Sequence, residues 1–532
     1  MKFRSKQVKD KIIMKKYLFL LSVALLGLSS CSSDYLETAP ESSTSTSTIV
    51  ESAANAKLSV NGISRLMSRQ YLHSQGYNGE GTIKTYFGNY PGNDFQKVNY
   101  PGWAPIMNQT YHLQKSSAYC YYPWYYYYTI SSNANGIICN IDNATGSEED
   151  KAFVKAQALV YRAYAFFMLS QLYAHRWSDE QGNTPGIVLR IDQSTGDHPR
   201  ATLAQTYAQI YADLDEAISL FQKSGQDRGE DEFYLPSLDV AYALYSRAAL
   251  TRQDWSNAAK YAALAKANHP IMSNDQYFDG MNTPNKEWIW GVYEAEDQTI
   301  YYYSFYAYQG SNASSGQMRT YPTAISKELI DQIPETDVRR GLYLIPTDEE
   351  LATDQANKKL TDAGRSTGVI QTRAKKEFAN YLYSTSLIYI YMQYKHRCSF
   401  YPGGGSFNIF RGAEMYYNEA EALCMQGQDA QAQEILFQAV SPRDPAYVKS
   451  TKTGNDLLTE IKLYRRFDLW GEGFDWFDYK RWGDPISRKA LGDGGSFHTS
   501  FAVTVEPSAG NKWTWELPLR ETDYNKGLDM PE

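Results

Sequence analysis

Histidine and cysteine are scarce in this chain, and neither is spaced for metal or redox chemistry. Seven histidines, at 73, 112, 175, 198, 269, 396 and 498, include no i, i+4 pair and no His-Glu-x-x-His, so zinc hydrolysis has no support. Five cysteines occur in 532 residues; Cys120, Cys139, Cys398 and Cys424 match no metal pattern and read as small buried apolar residues. A Cys120–Cys139 bridge stays open as the alternative in an oxidising compartment. A Gly-x-Ser-x-Gly elbow, a phosphate loop and a dinucleotide glycine pattern are missing too; Gly403-Gly404-Gly405 lacks the Lys and Ser/Thr of a phosphate cradle and reads as a turn. Cationic excess is also absent. The chain carries −8, but residues 1–30 hold seven basic side chains and one acidic, which leaves −14 on residues 31–532. Nucleic acid is therefore no partner, because phosphate binding needs clustered cations. No apolar run of membrane-spanning length follows residue 28.

What the N-terminus does contain decides the compartment. Lys11, Lys15 and Lys16 precede an apolar run from Tyr17 to Leu28, and Leu28-Ser29-Ser30-Cys31 follows. The run of about 12 residues is too short to span a bilayer, and small residues before a cysteine suit a lipoprotein signal peptidase. Cys31 is the expected lipid attachment site, carrying a diacylglycerol thioether and, on its freed amine, a palmitate-class acyl chain. Two or three chains anchor durably, since each buried methylene contributes about 0.8 kcal/mol. Met14-Lys15-Lys16-Tyr17 is a more usual signal start than Met1. The reading is residues 1–30 as signal, 31–50 as a Ser/Thr-rich tether, and 51–532 as the folded domain.

Helical periodicity comes in pairs. Val154, Ala158, Tyr161, Ala165, Met168 and Leu172 form one stripe, and Tyr207, Ile210, Tyr211, Leu214 and Ile218 its partner. Ala241, Leu244, Tyr245 and Ala248 precede a turn at Arg252-Gln253-Asp254, then Trp255, Ala258, Ala259 and Ala262 repeat the spacing. Phe410, Ala413, Tyr417, Ala420 and Cys424, a turn at Gly427, and Ala432, Ile435, Leu436 and Ala439 make a third pair. Alanine at facing positions lets helices approach closely, as in tetratricopeptide hairpins. The fold class is mainly α: a tetratricopeptide-like helical-hairpin superhelix interrupted by long irregular loops, near 72–115 and 269–378.

Those insertions hold the candidate binding residues. Tyr outnumbers Phe 45 to 21, alongside 11 Trp, which favours rings with a polar edge, suited to gripping sugars or peptides. Long aromatic loops in a helical domain are where function is expected. Tyr86, Asn89, Tyr90, Asn93 and Trp103 in the first loop, and Tyr302, Tyr303, Tyr306 and Tyr308 in the second, are the ligand-binding candidates. Trp288 and Trp290 alternate in a strand-like run and read as core, and Tyr125 to Tyr128 head a helix and read as packing. No catalytic residue is assigned. Asp468, Glu472, Asp475 and Asp478 could suggest a glycosidase, but Arg465, Arg466, Lys480 and Arg481 flank them, with Arg465–Asp468 and Asp478–Arg481 at i, i+3. Ion pairing lowers a carboxyl pKa, which is wrong for a general acid.

Residues 457–483 (LLTEIKLYRRFDLWGEGFDWFDYKRWG) resemble the C-terminal signature of the SusD/RagB family of Bacteroidetes outer-membrane lipoproteins, with Arg465, Arg466, Asp468, Glu472, Gly473, Asp478, Arg481 and Trp482 in matching places. Tyr464 stands where Glu is usual and Asp475 where Arg is usual. Asn61-Gly62-Ile63, Arg162-Ala163-Tyr164, Pro199-Arg200-Ala201-Thr202 and the closing Pro518, Glu521 and Asn525 agree, in order. The resemblance implies a cell-surface, lipid-anchored outer-membrane protein that binds oligosaccharides, without cofactor or bond cleavage, and delivers them to a SusC-like TonB-dependent transporter. A peptide-binding member, a helical glycoside hydrolase and a structural or adhesive lipoprotein are the alternatives.

Overall fold

Each periodic segment of the sequence is a helix with a recognisable start. The computed structural model describes residues 50–71, 77–98, 104–296, 304–507 and 513–528. The longer helices are α1 Ala53–Leu66, α2 Ala118–Ile138, α3 Glu148–Tyr173, α4 Leu203–Ser224, α5 Leu238–Thr251, α6 Trp255–Lys266, α7 Gly412–Met425, α8 Asp429–Val440, α9 Gly454–Asp468 and α10 Asp475–Trp482. Ser147 caps α3 by accepting from Asp150 N, and Thr202 with Gln205 forms a reciprocal capping box on α4. Gly225 ends α4 at φ 61°, a left-handed conformation that glycine adopts without a Cβ penalty. Phe410 lies outside the helix its spacing suggested: it belongs to a strand, and α7 starts two residues later.

These helices stack as hairpins. Successive helices from α2 to α8 pack as neighbours, and α9 lies on α7. The third hairpin docks directly on the second, α7 against α6, although about 145 residues separate them in sequence. Ala258, Ala262 and Ala265 on α6, Ala248 on α5 and Ala413 and Ala420 on α7 are fully buried, so the small side chains do set the close approach. Buried polar links fix the register: Ser246 Oγ donates to Ala258 O at 3.0 Å and accepts from Asn418 Nδ2 at 3.2 Å. The chain is thus mainly helical, with insertions looped out of a helical array.

The insertions are more regular than their composition suggested. A π-helix, Ile83–Asn89, and short helices at Asn274–Tyr277, Phe305–Gln309, Asp348–Ala356 and Val369–Glu377 occupy them. Among the described residues ten short strands make five two-stranded antiparallel ladders, including β6 (Arg365–Ser366) with β7 (Ile388–Tyr389) and β9 (Ile486–Ser487) with β10 (Thr504–Val505). Those that matter here are β1 (Phe95–Lys97) with β5 (Thr323–Ile325), β2 (Pro185–Val188) with β3 (Arg200–Thr202), and β4 (Trp288–Val292) with β8 (Phe407–Arg411). The β4–β8 ladder closes the long insertion and hands the chain into α7; Trp288 and Trp290 are buried in it.

Cys120, Cys398 and Cys424 are buried, whereas Cys139 is exposed, and all four are free thiols. Cys120 and Cys139 lie at opposite ends of α2, about 28 Å apart at 1.5 Å rise per residue, so the proposed bridge is excluded by the helix between them. Among the described residues no helix is long and apolar enough to cross a membrane.

Candidate functional site

The C-terminal signature is the hub on which both aromatic insertions are fastened. Arg411 donates to Glu472 (2.8 and 2.9 Å), Asp468 (2.7 Å) and Glu287 (2.8 Å), Lys395 donates to Glu472 at 2.6 Å, and Arg339 pairs with Asp468 at 3.0 Å. Arg465 does not pair with Asp468, three residues on; it donates to Asp478 at 2.7 Å and Asn418 at 2.7 Å, because helix packing presents those acceptors across the interface. Asp478 also accepts from Arg481 at 2.8 Å, the other i, i+3 pair, as its spacing indicated. Burial pushes the Glu472 carboxyl up, but Arg411 and Lys395 outweigh it and hold it at about 2. The same balance holds Asp468 far below, and Asp478 below, the usual carboxylate range. Such groups stay ionised and cannot serve as general acids near neutral pH.

Asp475 is different. It accepts from the backbone N–H groups of Asn93, Asp94 and Phe95 at 3.0, 2.7 and 3.1 Å. Burial, reinforced by Asp94, raises its carboxyl to about 8, against the lowering expected for an acid among arginines. Its job is to tie the first insertion to α10. Arg466 completes that tie, donating to both Asp94 oxygens at 2.7 and 2.8 Å.

The structure places six of the ligand-binding candidates in this fastening. Asn89, on the π-helix, donates to Gly471 O at 2.9 Å and Gln309 Oε1 at 3.1 Å and accepts from Gly473 N at 2.8 Å, which uses both of its amide hydrogens. The fit is close: a Cβ on Gly88 would lie 2.2 Å from Gly473 O, so glycine is required there. Asn93 donates to Asp94 Oδ1 and accepts from Ser487 N at 2.8 Å. Tyr86, Tyr90 and Tyr308 are buried, with Tyr86 at 5.4 Å from Tyr308 and 5.6 Å from Tyr90 between ring centres. Tyr306 is buried and its hydroxyl donates to Met281 O. The physical reason is common to all six: rings and amides that pin a loop to its scaffold have the same composition as ones that grip a ligand. Trp103, Tyr302, Tyr303 and Cys31 lie outside the described residues. Tyr126 and Tyr127 pack as expected; with Tyr164 they donate to the buried Glu80 carboxylate.

Two described contacts flank the aromatic stretches of the insertions. Val98 N donates to Pro322 O at 3.1 Å, extending the β1–β5 ladder. Residues 297–303 end at Ser304, whose Oγ donates to Gly403 O at 2.7 Å, two residues from Tyr401. Between these points lies a patch that the sequence reading missed. Tyr401 is 61% exposed and its ring stands edge-on to Tyr383 at 5.6 Å. The Arg319 guanidinium lies 5.7 Å from the Tyr383 ring centre and donates to Thr385 Oγ1 at 3.3 Å. Partly exposed rings beside a fixed guanidinium and hydroxyls are the elements that stack on a sugar face and bond its hydroxyls. An aromatic residue beside the Gly403–Gly405 turn was the one available signal, read only as a turn.

The fold defines a helical-hairpin scaffold in which Asp468, Glu472, Asp475 and Asp478 are held by internal bonds. A family described as starch-binding and associating with the outer membrane matches residues 34–250, and the SusD family matches residues 253–527; the chain belongs to the SusD family. Among solved structures it is similar to a SusD-like carbohydrate binding protein from Bacteroides vulgatus ATCC 8482 (21% identity, TM-score 0.73, 90% of this chain and 97% of that one). A SusD superfamily protein from Bacteroides thetaiotaomicron VPI-5482 is also similar (20% identity, TM-score 0.70, 90% and 99%). So is surface glycan-binding protein A from Bacteroides thetaiotaomicron, solved with laminarihexaose (15% identity, TM-score 0.64, 89% and 98%). No curated protein matches the chain.

Proposed function

We propose that this protein is a lipid-anchored outer-membrane protein, displayed on the cell surface through Cys31, that binds oligosaccharides and passes them uncleaved to a SusC-like TonB-dependent transporter. The carrying observation is the exposed Tyr401 ring beside Tyr383 and the Arg319 guanidinium, on a scaffold whose Asp468, Glu472 and Asp478 are buried. Trp103, Tyr302 and Tyr303 stay candidates for further ligand contact in this reading. Membership of the SusD family and the likeness to a protein solved with a glucan hexasaccharide favour glycan over peptide cargo. The lipobox, the acidic body and the short apolar run support the anchor.

The test is calorimetric titration of the chain beginning after Cys31 against oligosaccharide and peptide panels. A saturable oligosaccharide isotherm, weakened roughly tenfold by Tyr401→Ala through loss of one stacking face, supports the reading. Product formation from the bound oligosaccharide, or binding confined to peptides, overturns it.

A further inference from the structure

A cleft of about 530 Å³ opens where the end of α3 meets the β2–β3 ladder and the C-terminal stretch 514–528. Its volume is that of a small-ligand site, and none of the described loop aromatics lines it. The floor is rigid: Trp515 N donates to Leu172 O at 2.8 Å, and Thr514 Oγ1 to Ala174 O at 3.4 Å. Arg200 forms one wall. Its Nε donates to Gly186 O at 3.0 Å and its Nη2 to Tyr173 O at 3.0 Å and Gly186 O at 2.6 Å. Among the described residues Arg200 has no carboxylate in ion-pairing reach, and its Nη1 makes no hydrogen bond. Burial accordingly depresses its pKa, with only partial relief from Tyr128 and Glu516.

The other charges around the cleft leave the same sign in excess. Glu516 is the single acid among the described residues of the lining and is paired with Lys115 at 3.6 Å. Lys526 is exposed on the rim and has no ion pair among the described residues. His175 is held below its ordinary value by burial and by Lys480, so it adds no charge at neutral pH. Two cations thus face a pocket on a chain that carries −14 after residue 30. A guanidinium bonds carboxylate and phosphate alike, but Glu516 nearby disfavours a dianion, so a carboxylate fits better than a phosphate.

We propose that this cleft binds the carboxylate of a small hydroxylated acid, a uronic acid unit, with Arg200 Nη1 as its anchor, Lys526 as the second cation and the Thr514 hydroxyl toward the sugar. The saccharide identity rests on the glycan-binding reading above; the carboxylate preference does not. The test titrates galacturonate, galactose and inorganic phosphate into the chain beginning after Cys31, and into its Lys526→Glu, Arg200→Lys and Trp103→Ala variants. Saturable galacturonate binding is expected, with galactose and phosphate much weaker. Arg200→Lys should weaken it roughly tenfold, as for loss of a charged hydrogen bond. Lys526→Glu, an exposed change that leaves folding intact, should weaken it several-fold, and Trp103→Ala should leave it unchanged. Absence of saturable galacturonate binding, equal affinity for phosphate, insensitivity to both charge variants, or loss in Trp103→Ala would overturn the proposal. Galacturonate binding in a protein that binds no neutral oligosaccharide would sink the loop-face reading and leave this one standing.

Discussion

Glu472→Gln tests whether the charged hub is architecture. Glu472 accepts three charge-assisted bonds, from Lys395 at 2.6 Å and from Arg411 at 2.8 and 2.9 Å, with all three side chains at most 1% exposed. Removing one partner of a buried pair costs about 3–5 kcal/mol because the other charge is left uncompensated. The lower end applies here. Lys395 keeps Asp468 O and Trp470 O, and Arg411 keeps Glu287 and Asp468. Linkage agrees: depression from 4.5 to about 2 corresponds to roughly 3 kcal/mol. Lys395 is meanwhile held down to about 8 by burial, so desolvation of the ammonium offsets part of the attraction and the pair's net worth is smaller than the cost of breaking it. A folded carboxyl pKa below the unfolded one gives stability that is complete above pH 4.5 and lost as pH falls toward 2. The variant should therefore melt about 3 °C lower at pH 7, taking an unfolding entropy of about 1 kcal/mol/K for some 480 residues. The gap should shrink to less than half by about pH 3 and close only near pH 2. Thermal melts by tryptophan fluorescence from pH 3 to 7 provide the assay. Equal melting at every pH, or lost ligand binding with unchanged melting, would refute the reasoning.

Three further outcomes follow from single contacts. Lys480 donates to Gln171 O and Ala174 O at 2.6 and 2.8 Å at the end of α3, and burial lowers it to about 7, so the folded state disfavours its proton and gains stability as pH rises from 7 toward 10. Lys480→Met should flatten that rise between pH 7 and 9 in paired denaturant titrations. Asn89→Ala should cost about 2–3 kcal/mol, from three lost bonds and the acceptors and donor left buried, while retaining oligosaccharide affinity in calorimetry. Ala262→Leu, at a fully buried position where α6 lies close to its neighbours, should cost about 1–3 kcal/mol by overpacking, seen as a lower denaturation midpoint at unchanged slope.

The helical array was readable because its signal is local. Ala241 to Ala262 carry period and turn within some twenty residues, and α5 and α6 occupy those places. The stacking of α7 on α6 was not readable, since nothing in either helix encodes what bridges the insertion between them. Phe410 shows the limit of period alone: one ring before a helix extends its stripe whether or not its backbone is a strand. Burial of Tyr86, Asn89 and Tyr306 was invisible for a related reason, because their partners, such as Gly471 and Met281, lie far away in sequence. Arg319, Tyr383 and Tyr401 are dispersed over more than eighty residues and meet only through loop geometry, with Leu387 N bonded to Arg319 O at 2.8 Å. Asp475, marked as a departure from the family pattern, gained a role only when the Asn93–Phe95 backbone was seen to converge on it.

The most direct measurement is a titration of a neutral oligosaccharide panel into the chain beginning after Cys31, with the products analysed chromatographically after prolonged incubation. Saturable binding with every oligosaccharide recovered intact, and affinity lowered in Tyr401→Ala and Trp103→Ala, is the predicted result. Shortened oligosaccharides, or affinity indifferent to both rings, would contradict it.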